Sequence, residues 1–269
     1  MMMITDREFQ DFQRFIYEAA GINLSPAKKA LVTGRLARRL SARNLDNYGA
    51  YFALLRDGKD KTEVQTAIDL LTTNETYFFR EPKHFDLLRK VAAEADDLAR
   101  GGRPFRVWSA ASSTGEEAYS MAMVLADSRG NRPWEVVGTD ISTRVVAQAK
   151  TGHFVRQRTM HVPADYLRRF CLKGIGEQEG TVLVSRELRD RISFRHANLN
   201  TTLPELGSFD VIFLRNVMIY FDQATKRKVV ERVLSLLRPG GYFCIGHSES
   251  LHEISTAVRQ IAPATYRKP

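Results

Sequence analysis

Cysteine is scarce in this sequence. Cys171 and Cys244 lie far apart, which excludes a disulfide-framed fold and a cysteine-built metal centre. The histidines, at 84, 153, 161, 196, 247 and 252, show no metal-ligand spacing either, so no metal is expected and they read as structural or surface residues. Apolar runs of membrane-spanning length are missing. Met1 to Gln10 alternates charged and apolar residues and lacks the apolar stretch of a signal peptide. These absences point to a reducing cytoplasm and against membrane insertion. Internal repeats and low-complexity segments are also lacking. What remains is an ordinary globular composition: 269 residues, 43% apolar and 26% charged, enough for one large domain or two smaller ones.

Acidic residues are outnumbered, 31 against 40 basic ones, for a net charge of +9. That favours an acidic partner, which nucleic acid, a membrane surface and an acidic protein all satisfy. The excess is concentrated. Between Pro26 and Leu45 stand Lys28, Lys29, Arg35, Arg38, Arg39 and Arg43, with no acidic residue. At helical pitch Lys28, Arg35, Arg39 and Arg43 share one stripe, beside a face of Ala30, Thr33, Leu36, Ala37 and Leu40. Such a run has two readings: a solvated helix face, the commoner one, or a surface that meets an acidic partner.

Residues 1–72 read as helical throughout. Thr5 or Asp6 caps a helix carrying Phe9, Phe12, Phe15 and Ile16; Gly21 ends it, and Ser25-Pro26 opens the basic helix. Further helical patterns cover Asn47 to Leu55 and Lys61 to Leu71. A linker runs from Thr72 to Glu81, and Pro82 starts a helix expected to reach about Arg100, closed by Gly101-Gly102. From Arg103 strands and helices alternate: strands over Phe105 to Ser109, Glu135 to Thr139, Phe209 to Leu214 and Tyr242 to Gly246, helices over 115–127, 143–150 and 222–237, and an edge strand over Ala264 to Arg267. Alternation of this kind implies a parallel sheet covered on both faces. Thr181 to Ser185 and Arg191 to His196 have no crossover helix between them and are expected to form an inserted antiparallel hairpin.

Ligands of such sheets bind beyond the carboxyl ends of the strands. After the first strand comes Ser109-Ala110-Ala111-Ser112-Ser113-Thr114-Gly115-Glu116-Glu117. The single Gly115 cannot replace the three glycines of a dinucleotide loop, and two carboxylates would repel a pyrophosphate, so a cationic ligand fits better. Glu117 could pair with the amino group of S-adenosylmethionine, and Asp140, at the second strand's end, could accept ribose hydroxyls or simply cap a helix. Asn198 and Asn200 could make turns. Arg215 follows four apolar residues, Val211 to Leu214, and must find a partner or reach a cleft.

Four segments together resemble one family, the chemotaxis receptor glutamate O-methyltransferases of CheR type. They are Thr73-Asn74-Glu75-Thr76-Tyr77-Phe78-Phe79-Arg80-Glu81, Ser113-Thr114-Gly115-Glu116-Glu117-Ala118-Tyr119-Ser120, Leu214-Arg215-Asn216-Val217-Met218-Ile219-Tyr220-Phe221 and Gly246-His247-Ser248-Glu249-Ser250. Ala118 departs from the family's usual proline. The resemblance implies an α/β fold: a Rossmann-like methyltransferase domain over 103–269 with an antiparallel β-subdomain inserted at about 172–197, a linker and helix over 73–102, and an all-helical domain over 1–72. It implies S-adenosylmethionine as cofactor and S-adenosylhomocysteine as product, held by Asn74, Thr76, Arg80, Glu117, Asp140, Asn198, Leu199, Arg215 and Asn216. Arg80 and Tyr220 are expected nearest the methyl group. A glutamate acceptor is already ionised at neutral pH and needs no general base.

The implied partners are glutamate-rich chemoreceptor methylation helices, steered by the stripe of Lys28, Arg35, Arg39 and Arg43, in sensory adaptation in the bacterial cytoplasm. Lys173-Gly174-Ile175-Gly176 resembles the turn of members that tether a receptor's C-terminal peptide at the β-subdomain; a plain structural turn reads almost as well. The chain is expected to act as a monomer. A nucleic-acid methyltransferase would carry an acidic or asparagine-proline-proline-aromatic motif where Leu214-Arg215-Asn216-Val217 stands, so no nucleic acid is expected. A non-catalytic, cofactor-responsive adaptor is the other alternative.

Overall fold

The computed structural model describes residues 3–97 and 101–269. Four helices open the chain: α1 (Asp6–Ala20), α2 (Lys29–Ala42), α3 (Tyr48–Asp57) and α4 (Lys61–Leu71). Thr5 and Glu8 form a capping box at the start of α1, and Gly21 closes it in the left-handed region. Their apolar faces meet around Phe12, Ile16, Leu36 and Tyr51, each fully buried. Ser25 makes no side-chain cap; a 3-10 turn over Pro26–Lys28 leads into α2 instead.

The basic stripe does not stand free. Arg39 Nε and Arg43 Nε donate to the two oxygens of Glu63 at 2.8 and 2.7 Å, and Arg43 also pairs with Asp60. Glu63 is 1% exposed and takes a further bond from Tyr51 Oη. Arg35 Nη1 donates to the carbonyl of Thr72 at 2.8 Å. α4 thus brings up a carboxylate, and its C-terminal end a carbonyl, that engage Arg35, Arg39 and Arg43 within the domain. Lys28 remains exposed.

α5 (Pro82–Glu94) follows the linker. It ends at Glu94, short of the expected Arg100; residues 98–100 lie outside the described residues. Beyond it the main sheet is built from β1 (Phe105–Ser109), β2 (Trp134–Asp140), β6 (Ile192–His196), β7 (Phe209–Leu214), β8 (Leu237–Ile245), β9 (Arg259–Ala262) and β10 (Thr265–Arg267), in the order β6-β2-β1-β7-β8-β10-β9. The first five strands are parallel, and β10 and β9 add antiparallel. All six residues of β7 are buried, the apolar run Val211 to Leu214 as expected of a central strand, and Asp210 in a pair with Arg238. α6 (Glu116–Arg129) packs on one face with α5, and α10 (Gln223–Ser235) on the other.

Two strand expectations are corrected. Residues 191–196 do not pair with 181–185. Instead β6 joins the main sheet parallel to β2. Residues 181–184 form β5, the centre of a separate antiparallel sheet between β3 (His153–Val155) and β4 (Cys171–Lys173). The crossover helix that seemed missing is α7 (Thr143–Thr151), which precedes this insertion; α8 (Ala164–Phe170) and the single turn α9 (Arg186–Arg189) complete the passage to β6. Packing selects the pairing: Phe194 of β6 lies so close over Gly138 of β2 that a Cβ there would come within 2.6 Å of the ring. β10 is likewise not an edge strand, because β9 covers it. No helix among the described residues is long and apolar enough to cross a membrane.

The Glu63 cluster sets an acid limit on the helical domain. Burial opposes its charge, but hydrogen bonds from Arg39, Tyr51 and Arg43 prevail and hold the carboxyl at about 2, below the ordinary 4.5. A folded-state value below the unfolded one stabilises above the ordinary value, and that stabilisation is lost as pH falls from about 4.5 through about 2. Glu63→Gln should therefore lower stability at pH 7 by about 2–3 kcal/mol and flatten the acid limb of the stability profile. Urea titrations from pH 7 to pH 3 measure both; an unchanged acid limb in the variant would assign it to other groups.

Candidate active site

A cavity of about 310 Å³ opens at the carboxyl ends of β1, β2, β6 and β7. The linker and the segment between α1 and α2 roof it, through Thr72 to Thr76 and Ile22 to Ser25. Ile22 pairs with Phe221 as an isolated antiparallel bridge, and Asn23 N–H donates to the Tyr220 carbonyl at 2.8 Å. The helical domain is thus hydrogen-bonded to the loop after β7. Asn74, Thr76, Arg80, Glu117, Asp140, Asn198, Leu199, Arg215, Asn216 and Tyr220 all line this cavity, as does Lys28; Arg35, Arg39 and Arg43 do not.

The loop after β1 approaches closely because its residues are small and two of them, Ser113 (φ 48°) and Gly115 (φ 100°), take left-handed conformations. Ser113 N–H donates to Asp140 Oδ2 and Ser142 N–H to Oδ1, each at 2.9 Å. Burial raises the Asp140 carboxyl above the usual carboxylate range; these backbone bonds oppose the shift, and nearby Asp69 adds to it. The two glutamates that open α6 diverge. Glu116 turns away from the cavity and is paired with Arg158, whose Nε lies 2.7 Å from its Oε1. Glu117 faces the cavity.

Arg215 finds its partners at once. Its Nε donates to Glu117 Oε2 at 2.7 Å, and Nη1 to the Arg80 carbonyl at 2.6 Å, with Glu81 Oε2 at 3.4 Å. Ser109 Oγ donates to the other Glu117 oxygen at 2.7 Å. Nη1 also lies 3.1 Å from His84 Nδ1. A guanidinium only donates, so that nitrogen accepts and the ring proton sits on Nε2. Burial, and then the Arg215 charge, push His84 down to about 4 and keep it neutral. Burial also opposes the charge of Glu81, but Arg215, the His247 N–H and Asn216 keep its carboxyl below the ordinary range. Two carboxylates therefore face one guanidinium, leaving a net negative end suited to a cation. Glu81, His84 and His247 cluster closely enough to suggest metal ligation; the fixed cation of Arg215 already occupies that space.

The opposite end of the cavity is different in character. Arg80 lies 5.6 Å from the Tyr77 ring centre and donates to the Glu75 carbonyl at 3.3 Å, leaving most of its donors unused by these contacts. Burial raises the Tyr220 phenol and keeps it protonated as a donor. Asn198 Nδ2 donates to the Ala19 carbonyl at 2.6 Å and its Oδ1 accepts from Asn200 N–H, so it braces the helical domain as well as lining the cavity.

Ser109, Glu81, His84 and Glu249 are site or support residues to which sequence reasoning gave no role. Glu81 and Glu249 lay inside quoted motifs, and that was their only signal. Ala118, where the family usually has proline, is fully buried in the first turn of α6.

Residues 7–72 match the family described as CheR methyltransferase, all-alpha domain, and residues 74–267 match CheR methyltransferase, SAM binding domain. The chain is 41% identical over 258 residues to a chemotaxis protein methyltransferase of Escherichia coli (strain K12), covering 94% of this chain and 87% of that protein. It is 41% identical over 265 residues to chemotaxis protein methyltransferase 2 of Pseudomonas aeruginosa, covering 97% and 93%. Among solved structures, the N-methyltransferase NodS from Bradyrhizobium japonicum in complex with S-adenosyl-L-homocysteine has a TM-score of 0.40 at 14% identity, over 70% of this chain and 87% of that one. The cavity with a negative end at the strand termini belongs to a domain of the S-adenosylmethionine-binding kind, and the chain belongs to the CheR methyltransferase family.

Proposed function

We propose that this methyltransferase esterifies glutamate side chains on chemoreceptors, the methyl-accepting chemotaxis proteins, giving γ-glutamyl methyl esters and S-adenosylhomocysteine in sensory adaptation in the bacterial cytoplasm. The observation that carries the reading is the chemistry of the cavity's open end. Arg80 and a protonated Tyr220 offer donors there, which suit an acceptor that arrives already ionised. An amine or alcohol acceptor would call for a base to remove its proton.

The residues divide the work by charge. Asp140 accepts the ribose hydroxyls, and Glu117, steadied by Ser109 and Arg215, takes the amino group. Asn198 and Leu199 border the adenosine side, and Arg215 and Asn216 the methionine side, while Asn74 and Thr76 close over the cofactor from the linker. When bound there, S-adenosylmethionine supplies an electrophilic methyl group on a sulfonium. Arg80 orients the acceptor carboxylate and Tyr220 donates a hydrogen bond to it. Charge is neutralised in such a transfer, so a tight Arg80–carboxylate pair would favour the ground state and slow turnover. Arg80 acts by positioning, and closure of the site excludes water.

Lys28, exposed and beside the cavity, is the member of the basic stripe best placed to meet an acidic receptor helix. The β-subdomain offers a second contact. β4 is an edge strand, with Leu172 59% and Ile175 81% exposed, and can take a receptor's C-terminal peptide as an added strand. Gly174 has a structural reason of its own, since a Cβ there would lie 1.9 Å from the Gln178 carbonyl oxygen. The enzyme is read as a monomer.

Asp140→Ala should weaken S-adenosylhomocysteine binding about 100-fold, the loss of two bonds to a charged acceptor, as measured by calorimetry. In the unaltered protein, affinity should fall on acidification before an ordinary aspartate would protonate. The raised carboxyl takes up its proton early, and a protonated acid accepts poorly. Binding by Asp140→Ala at full strength would remove the ribose assignment.

Arg80→Ala should reduce kcat on purified receptor about 100-fold with S-adenosylhomocysteine affinity within a few-fold, and Tyr220→Phe should behave alike to a lesser degree. Intact kcat with only weakened cofactor binding would show that Arg80 holds the cofactor instead.

Titration of the protein with the C-terminal peptide of a receptor should release heat and saturate at one peptide per chain. Absence of binding at millimolar peptide would remove the tether and leave the methylation reading untouched.

A further inference from the structure

The loop after β7 carries both ends of the site, Asn216 and Tyr220, yet its backbone is in an uncommon state. Asn216 sits at φ 57°, a left-handed conformation that side chains other than glycine rarely take. Such a turn points its N–H groups the same way, and they must be satisfied where they are half-buried. Four of them, three from this loop, converge on one carboxylate. Glu249 Oε2 accepts from Gly246 N–H at 2.7 Å and from Asn216 N–H at 2.9 Å. Its Oε1 accepts from Met218 N–H at 2.8 Å and from Ile219 N–H at 3.3 Å.

The close approach is built in. A Cβ on Gly246 would lie 2.5 Å from Asn216 Nδ2 and 2.9 Å from Glu249 Oε2, so any larger residue there must displace these clamp atoms. The clamp then fixes the neighbours. Asn216 Nδ2 reaches Glu81 Oε1 at 3.3 Å, joining the loop to the linker end. Tyr220 N–H bonds the Val217 carbonyl at 3.1 Å, and its own carbonyl takes Asn23 N–H. Glu249 is absent from the residues lining the cavity, so its effect on chemistry runs through this loop.

We propose that Glu249 is a positioning residue for methyl transfer: its carboxylate clamps residues 216–219 and so sets where Tyr220 and Asn216 stand in the active site. The inference rests on the acceptor-side role given to Tyr220 above. A carboxylate is required because four donors need two acceptor oxygens. Glutamine would keep one oxygen and turn an NH₂ group against two N–H donors.

The test combines Glu249→Gln with Gly246→Ala, which attacks the same clamp from its other side, and reads hydrogen exchange, cofactor binding and receptor methylation. Amides of 216–219 should exchange at least tenfold faster in both variants, with exchange elsewhere in the sheet unchanged. kcat should fall at least tenfold, and by a larger factor than S-adenosylhomocysteine affinity, which weakens too because Asn216 borders the methionine side. Adding Tyr220→Phe to Glu249→Gln should cost little more, since the two act through one group.

Unchanged exchange at 216–219 would overturn the clamp. Faster exchange with unchanged kcat, or a Tyr220→Phe effect that is fully additive, would overturn the positioning role, as would parallel loss of melting temperature, cofactor affinity and kcat in both variants. If the unaltered protein binds S-adenosylhomocysteine yet esterifies no receptor glutamate, the substrate reading fails. In that case the clamp is still judged by exchange at 216–219.

Discussion

A buried guanidinium is the constraint around which the site is organised. Arg215 has only 1% of its side chain exposed, and removing such a charge from water costs several kcal/mol unless it is paired and hydrogen-bonded. The compensation comes from three separate parts of the chain: Glu117 at the start of α6, the Arg80 carbonyl and Glu81 at the end of the linker, and His84 in α5. Satisfying one charge thereby brings the small-residue loop, the linker and the end of β7 to one point. Because Glu117 and Glu81 together outnumber the guanidinium, the same arrangement leaves a negative end to the cavity.

The helical domain reaches that site through a second set of contacts. Asp69 of α4 caps the start of α7: its Oδ1 accepts from Thr143 N–H at 3.0 Å, and its Oδ2 from Arg144 N–H at 3.1 Å and from the Thr143 hydroxyl at 2.8 Å. A carboxylate at a helix N-terminus suits both the free N–H groups and the dipole. Gln65 adds a bond to the Ile141 carbonyl, immediately after Asp140. With the Ile22–Phe221 bridge, these contacts place the helical domain on both sides of the cavity. Its basic helix is tied down by Glu63, so its charge is spent largely on holding α2, α4 and the linker together. A net charge of +9 carries no information about this internal pairing.

Much of this was legible before any coordinates. The β7 strand announced itself by the apolar run Val211 to Leu214, and Arg215 by standing directly after it. The loop from Ser109 to Glu117, with too few glycines for a pyrophosphate and two carboxylates, pointed to a cationic ligand, and the S-adenosylmethionine-binding domain match agrees with that reading. The error over β6 is equally instructive. Residues 191–196 were rightly expected to form a strand, but a strand signal does not say against which neighbour it pairs.

Local pattern determined the elements of this protein, because helix caps, turns and apolar periodicity act between residues close along the chain. It determined the ligand's charge class for the same reason, since Ser109 to Glu117 is one continuous loop. Tertiary structure alone decided the partners: Glu63 for Arg39 and Arg43, Glu117 for Arg215, β2 for β6, and Glu249 for the loop that carries Tyr220. Those pairings join residues tens of positions apart. Their strength depends on burial and on the direction each side chain takes, which exist only once the elements have packed.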